Sequence, residues 1–174
     1  GRTVTPTVDV VIPSYRCNLD VLSHLCSRCS EDGANVILQI DNPNATDLPG
    51  VLALESTDVR IRVNAQNMGA SATRNRGAAE SLASIIVFLD DDVLPGPGAV
   101  KAHADLLLAR EKTDCPLCGS AGRVLFPLSE DVWHEATRLS QILTAFDWPV
   151  NVFPNQTVPW SVTANMSVWR TSLV

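Results

Sequence analysis

The sequence has no run of lysine and arginine, and its acidic residues outnumber the basic ones, 19 to 13. With a net charge of −6, neither a nucleic-acid surface nor an acidic-membrane surface is expected. It also lacks any apolar stretch approaching the about 20 residues that a membrane-spanning helix needs. The longest, around Ser84–Leu89, is far shorter, so no transmembrane segment is expected in the chain. Internal repeats, low-complexity tracts and linker-like stretches are missing too. The 174 residues therefore read as one domain, long enough to bury a real core. At 45% hydrophobic and 18% charged, the composition is globular.

Five cysteines are present: Cys17, Cys26, Cys29, Cys115 and Cys118. Cys26/Cys29 and Cys115/Cys118 have the C-x-x-C spacing that zinc sites use. The first pair falls in an expected helix, where a three-residue spacing is simply one face. The second lies beside an expected strand. Buried, reduced thiols are the preferred reading, with structural zinc and a disulfide left open. The odd number favours a reducing compartment, hence the cytoplasm or the cytoplasmic face of a membrane.

Short apolar runs alternate with helix-like stretches. Val8–Pro13, Ala34–Ile40, a short segment around Ile61 and Val63, and Ser84–Leu89 read as strands. A helix capped by Asn18 or Asp20 and stopped by Gly33 is expected between the first two. Gly69–Leu82 reads as a helix packed through Ala70, Thr73, Gly77 and Ala78, and Pro97 opens another whose face carries Val100, Ala104, Leu107 and Leu108. Strands are expected over Cys118–Leu125 and Val162–Trp169, separated by an irregular stretch, Phe126 to Pro159, that holds Trp133 and Trp148. This alternation implies an α/β fold with a mainly parallel sheet.

The run Ile85–Leu89 ends in Asp90-Asp91-Asp92, followed at once by a Pro/Gly-rich turn. Three adjacent acids repel one another, and a divalent cation with its need for hard oxygen ligands would relieve them. The bland alternative is a solvated acidic turn after a core strand. Ligands of open α/β sheets gather at the carboxyl ends of the strands. At those ends lie Pro13-Ser14-Tyr15, Asp41, the loop Asn67-Met68-Gly69 ahead of the helix bearing Arg74, and the three acids. Together they make a kit for a nucleoside diphosphate.

In order and spacing, Val10-Val11-Ile12-Pro13-Ser14-Tyr15, Asp41, Asn67-x-Gly69-x-Ser71-x-x-Arg74-Asn75-x-Gly77 and Phe88-Leu89-Asp90-Asp91-Asp92 resemble family 2 glycosyltransferases of the GT-A, Rossmann-like fold. The resemblance implies a metal-dependent, inverting, hexosyltransferase-like enzyme that uses Mn2+ or Mg2+. Its donor would be a nucleotide-diphosphate sugar, a UDP-sugar first of all, and its acceptor a saccharide or other hydroxyl. By the same resemblance Asp41 meets the uracil edge, with support around Pro13, Ser14 and Tyr15, and Arg74 reaches the nucleotide. Asp92 would bind the metal directly, Asp90 the metal or the sugar-nucleotide hydroxyls, and Asp91 fills the middle of the D-x-D motif. Asn165, in Asn165-Met166-Ser167-Val168-Trp169-Arg170, would touch the donor sugar or serve only its strand. The family's catalytic base is expected beyond Val174, so the expectation is a single GT-A domain over 1–174 whose C-terminal part is missing. A nucleotide-sugar-binding domain without transfer is the alternative reading.

Overall fold

The computed structural model describes residues 7–113, 117–125, 131–139 and 161–173. Four apolar runs form parallel strands: β1 (Val8–Ser14), β2 (Asn35–Ile40), β3 (Val59–Val63) and β4 (Ile85–Leu89). Two more strands, β5 (Gly119–Ala121) and β6 (Asn165–Trp169), complete the order β3-β2-β1-β4-β6-β5. The sheet is α/β and mainly parallel as expected, but β6 runs antiparallel to both β4 and β5.

β5 is shorter than the Cys118–Leu125 expected, for a reason its partner supplies. β6 begins only at Asn165, and the last pairing bond runs from Gly122 N–H to the Asn165 carbonyl at 2.8 Å. Past that point the chain has no strand to lie against. Cys115 and most of the stretch from Phe126 to Pro159, Trp148 included, lie outside the described residues. The exception is helix α5 (Val132–Leu139), which lies inside the stretch expected to be irregular.

Helices cover both faces of the sheet. On one face α1 (Leu19–Glu31) and α4 (Ala99–Arg110) bury Leu22, Leu25, Val100 and Leu107 against Val10, Ile12, Leu38 and Val87. Asn18 caps α1, its Oδ1 accepting from Val21 N–H at 3.1 Å, and Gly33 turns the chain into β2 at φ +79°. Cys26 and Cys29 sit buried on the core face of α1, where burial pushes their thiols up to about 11 and about 12. Neither is a ready metal ligand or nucleophile at neutral pH. A short helix, α2 (Leu48–Leu52), started by Pro49, packs near α1.

On the other face lies α3 (Ala70–Glu80), with Thr73 and Gly77 buried. A Cβ at Gly77 would stand 2.6 Å from Val11 Cγ1, so only glycine lets α3 press this closely on β1. That closeness brings the first turn of α3 to the carboxyl ends of the strands. At the opposite end of β1, buried Asp9 accepts from Arg60 Nη2 (3.1 Å), Ser81 Oγ (2.8 Å) and Asn35 Nδ2 (3.2 Å). This paired acid ties β1, β2, β3 and the end of α3 together, away from the strand ends that matter for function.

Helix α4 has no capping side chain of its own. Asp32, just past α1, accepts instead from Gly98 N–H at 2.8 Å and Val100 N–H at 2.9 Å. A carboxylate at a helix N-terminus satisfies orphan donors and complements the helix dipole. The turn from Asp90 to Gly98 is therefore anchored where it enters the helix.

Candidate functional site

A cleft of about 220 Å³ opens at the carboxyl ends of β1, β2 and β4. It is lined by Pro13, Ser14, Tyr15, Asp41, Ala70, Thr73, Arg74, Asp90, Asp91 and Asp92. The parallel register makes this convergence unavoidable: β1 lies between β2 and β4, so their ends surface side by side. Every site residue anticipated from the sequence reaches the cleft except Asn165, which is not among its lining residues.

The three acids have separate surroundings. Asp90 is ion-paired with Arg74 Nη2, both side chains part-buried. Asp91 accepts from Ser14 Oγ at 2.6 Å, which ties the end of β4 to the end of β1. Burial pushes the Asp91 carboxyl above the usual carboxylate range; the Ser14 bond opposes the rise and Asp92 adds to it by repulsion. Asp91 is thus more than a spacer between two functional acids. Asp92 is exposed and has no hydrogen-bond or ion-pair partner among the described residues. One carboxylate stands open at the mouth, and two are braced behind it.

Ser14 is itself held in place. Its Oγ accepts from Cys17 N–H at 3.2 Å, across a turn in which Cys17 takes the left-handed φ of +54°. A non-glycine residue held in this region at a ligand cleft is a local strain that the surrounding bonds must sustain.

Asp41 serves the architecture heavily. Only 4% exposed, it accepts from Asn64 Nδ2 (2.7 Å) and Met68 N–H (2.8 Å) on Oδ1, and from Gly69 N–H (2.9 Å) on Oδ2. Burial alone would raise its pKa, but the bonds from Asn64, Met68, Thr73 and Gly69 outweigh it and hold the carboxyl below its ordinary value. Asp41 therefore staples the loop Asn67–Gly69 to β2 and sets a negative charge at the N-terminus of α3. The turn needs Gly69, whose φ is +83°.

Sequence reasoning missed Asn64, which lies at the centre of this network and is fully buried. Its amide donates to Asp41 and to Thr73 Oγ1 (3.1 Å) and accepts from Gln39 Nε2 at 2.8 Å. Nothing marks it in the sequence except its place just after a strand. Asn165 lies on β6 opposite Leu89, with its amide turned toward β5 and α4.

The donor set suits one kind of cation. Among the described residues no group of three or more His, Cys, Asp and Glu side chains closes around a metal. An open carboxylate beside a braced one fits an ion such as Mg2+ or Mn2+, which takes one or two carboxylates and completes its shell with water and phosphate.

Arg74 offers a direct check on this electrostatic picture. Arg74→Met removes the cation that offsets Asp90 and leaves three acids side by side. We expect the variant to lose about 1–2 kcal/mol of stability in urea unfolding, discounted for partial exposure of the pair. Millimolar Mn2+ should restore more stability to the variant than it adds to the parent chain. Equal stabilisation of both by Mn2+ would count against a cation at these acids.

Comparison with known proteins gives the family and the fold. The sequence model for glycosyl transferase family 2 matches residues 9–118, more than half the chain and all of the cleft lining. No curated protein sequence matches. Among solved structures the chain is similar to the mannosyltransferase PcManGT from Pyrobaculum calidifontis in complex with GDP-Man and Mn2+, at a TM-score of 0.62 and 14% identity. The match covers 97% of this chain and 46% of that one, so the chain spans about half the length of that structure. At this identity the likeness is one of fold, and the fold is the expected GT-A arrangement.

Proposed function

This chain belongs to glycosyl transferase family 2, and from that premise we propose that its cleft holds a nucleotide-diphosphate sugar for transfer to a hydroxyl acceptor. The observation that carries the reading is the division of labour among the acids: Asp90 and Asp91 are braced by Arg74 and Ser14, and Asp92 alone stands open.

The chain's own residues divide the remaining work. Tyr15, more than half exposed at the cleft, offers an aromatic face for the base, with Pro13 and Ser14 as its floor. UDP is the first donor nucleotide to test; GDP is the rival, because the similar mannosyltransferase is in complex with GDP-Man. Asp41 keeps the wall of the cleft in place rather than offering a free carboxylate to the base. Arg74 approaches the diphosphate from α3 while orienting Asp90. Asp92, with Asp90 beside it, would hold Mn2+ or Mg2+, which when bound neutralises the charge that grows on the departing diphosphate. Inverting transfer also needs a group to take the acceptor's proton, and the four cleft acids have other work: Asp41, Asp90 and Asp91 are held by their partners, and Asp92 is assigned to the cation.

Isothermal calorimetry tests the reading. UDP or GDP should bind the chain with Mn2+ present, and chelation with EDTA should weaken binding at least about tenfold, as expected when a cation bridges carboxylate and phosphate. Affinity unchanged by EDTA removes the metal from the proposal. Binding of neither nucleotide removes the donor site.

A further inference from the structure

Among the described residues His103 is the histidine that the fold buries deeply, at 7% exposure, and it is not among the residues that line the cleft. It sits on the core stripe of α4 with Val100, Ala104 and Leu107. Its Nε2 lies 2.8 Å from Asn165 Oδ1 and its Nδ1 2.6 Å from Ser120 Oγ, which in turn lies 2.7 Å from Ser167 Oγ. The imidazole thus joins α4 to both antiparallel strands, β5 and β6.

The partners determine which nitrogen carries the proton. Asn165 Nδ2 donates to the Arg123 carbonyl at 3.3 Å, so the amide oxygen is the atom that faces His103. An amide oxygen can only accept, and Nε2 must therefore donate. Burial holds His103 below its usual pKa, so the ring is neutral and Nδ1 is left to accept from the Ser120 hydroxyl. Ser120 Oγ then accepts from Ser167. The bonds run in one direction, from Ser167 through Ser120 and His103 to Asn165 and the Arg123 carbonyl. Asn165 has little freedom to turn elsewhere: its amide packs on Gly122, where a Cβ would stand 2.3 Å from Nδ2.

The consequence reaches the acid cluster through the backbone. Asn165 is paired with Leu89, and the adjacent Ala164 carbonyl accepts from Asp90 N–H at 3.2 Å. The Asp90–Gly98 turn leaves β4 at this point and enters α4 at the Asp32 cap. A closed circuit results: β4, the acid turn, α4, His103, Asn165, β6 and back to β4. Among the described residues the His103–Asn165 bond is the side-chain hydrogen bond that joins α4 to β6.

The geometry points to His103 as a positioning residue for the donor site: as the Nε2–H tautomer it clamps Asn165 and so holds the Asp90–Asp92 turn between β6 and α4. Its bearing on donor binding rests on the nucleotide-sugar reading; the clamp itself does not. His103→Gln keeps an N–H donor for Asn165, while His103→Leu keeps volume and removes the donor. Nitrogen-15 NMR of the parent chain, with His103 assigned through these variants, should show a neutral Nε2–H ring; a ring protonated on Nδ1 alone overturns the clamp. In His103→Leu the Asp90 amide should exchange with solvent about tenfold faster, while the Val10 and Ile12 amides stay as they were; His103→Gln should restore protection. Mn2+-supported nucleotide binding should weaken about tenfold in His103→Leu and recover in His103→Gln, the scale seen when a partner that orients a metal-site group is removed. An unchanged Asp90 amide in His103→Leu overturns the proposal, whatever the nucleotide result. If the parent binds no nucleotide, the donor reading fails while tautomer and exchange still decide the clamp. Should His103→Leu fail to fold, Ser120→Ala takes its place: the ring should stay Nε2–H, because the Asn165 oxygen that fixes the tautomer is untouched, and a ring that moves its proton to Nδ1 overturns the clamp.

Discussion

Asp92→Ala should leave the fold intact and remove the metal-dependent part of nucleotide binding. The two halves of this expectation come from the same observation. Asp92 is exposed and bonded to no described residue, so truncating it breaks no structural contact. It also adds to the repulsion that raises Asp91, so its removal should leave stability within about 0.5 kcal/mol of the parent or slightly above it. Function should respond very differently. Losing an electrostatic contact aimed at the charge of the transition state typically costs about 10²–10³ in rate, or about 3–4 kcal/mol. Transfer by the whole protein should fall on that scale, and the response of nucleotide affinity to EDTA should disappear in this chain. Urea unfolding and calorimetry on one preparation separate the two effects. A variant that unfolds would show Asp92 to be structural, and one that still binds nucleotide in an EDTA-sensitive way would move the cation elsewhere.

The parts of the molecule legible in the sequence are those in which one-dimensional pattern maps directly onto geometry. An apolar run without alternation is a strand covered on both faces, and β1, β2 and β4 follow from it. Parallel pairing then gathers Ser14, Asp41 and Asp90–Asp92 at one edge without further information. What stayed hidden depends on partners far apart in the chain. Asp41 shows in the sequence as a polar residue after a strand, and only Met68 and Gly69, 27 and 28 residues on, make it a staple. Asn64 carries no signal apart from its neighbours in space. His103 did leave one: a histidine on the Val100, Ala104, Leu107 stripe of α4 must be buried, and a buried histidine needs partners. Asn165 was placed on the right strand, but the sequence gives no means of telling which way its amide turns.

Asp41→Asn should be the most destabilising single change at the cleft, by about 3 kcal/mol. The ionised carboxylate accepts from the Asn64 amide and from the backbone N–H groups of Met68 and Gly69. Bonds to a charged acceptor contribute about 1.5–3 kcal/mol each. Asparagine offers one acceptor oxygen, so either the loop or Asn64 faces an N–H donor in a buried place. For a chain of this size the loss corresponds to roughly 6–12 °C in Tm. The pH dependence has a definite sign. The folded pKa of Asp41 is depressed, so its contribution is complete above the unfolded value and fades as pH falls through the folded one. The gap between parent and variant should accordingly be full at pH 6 and narrow below about pH 4. Nucleotide binding distinguishes the staple from a base-reading role. As a staple, Asp41 controls the loop and the start of α3, so Asp41→Asn should weaken UDP and GDP by a similar factor. A change confined to UDP, with stability unaltered, would instead make Asp41 a reader of the base and transfer the bracing of the loop to Asn64 alone.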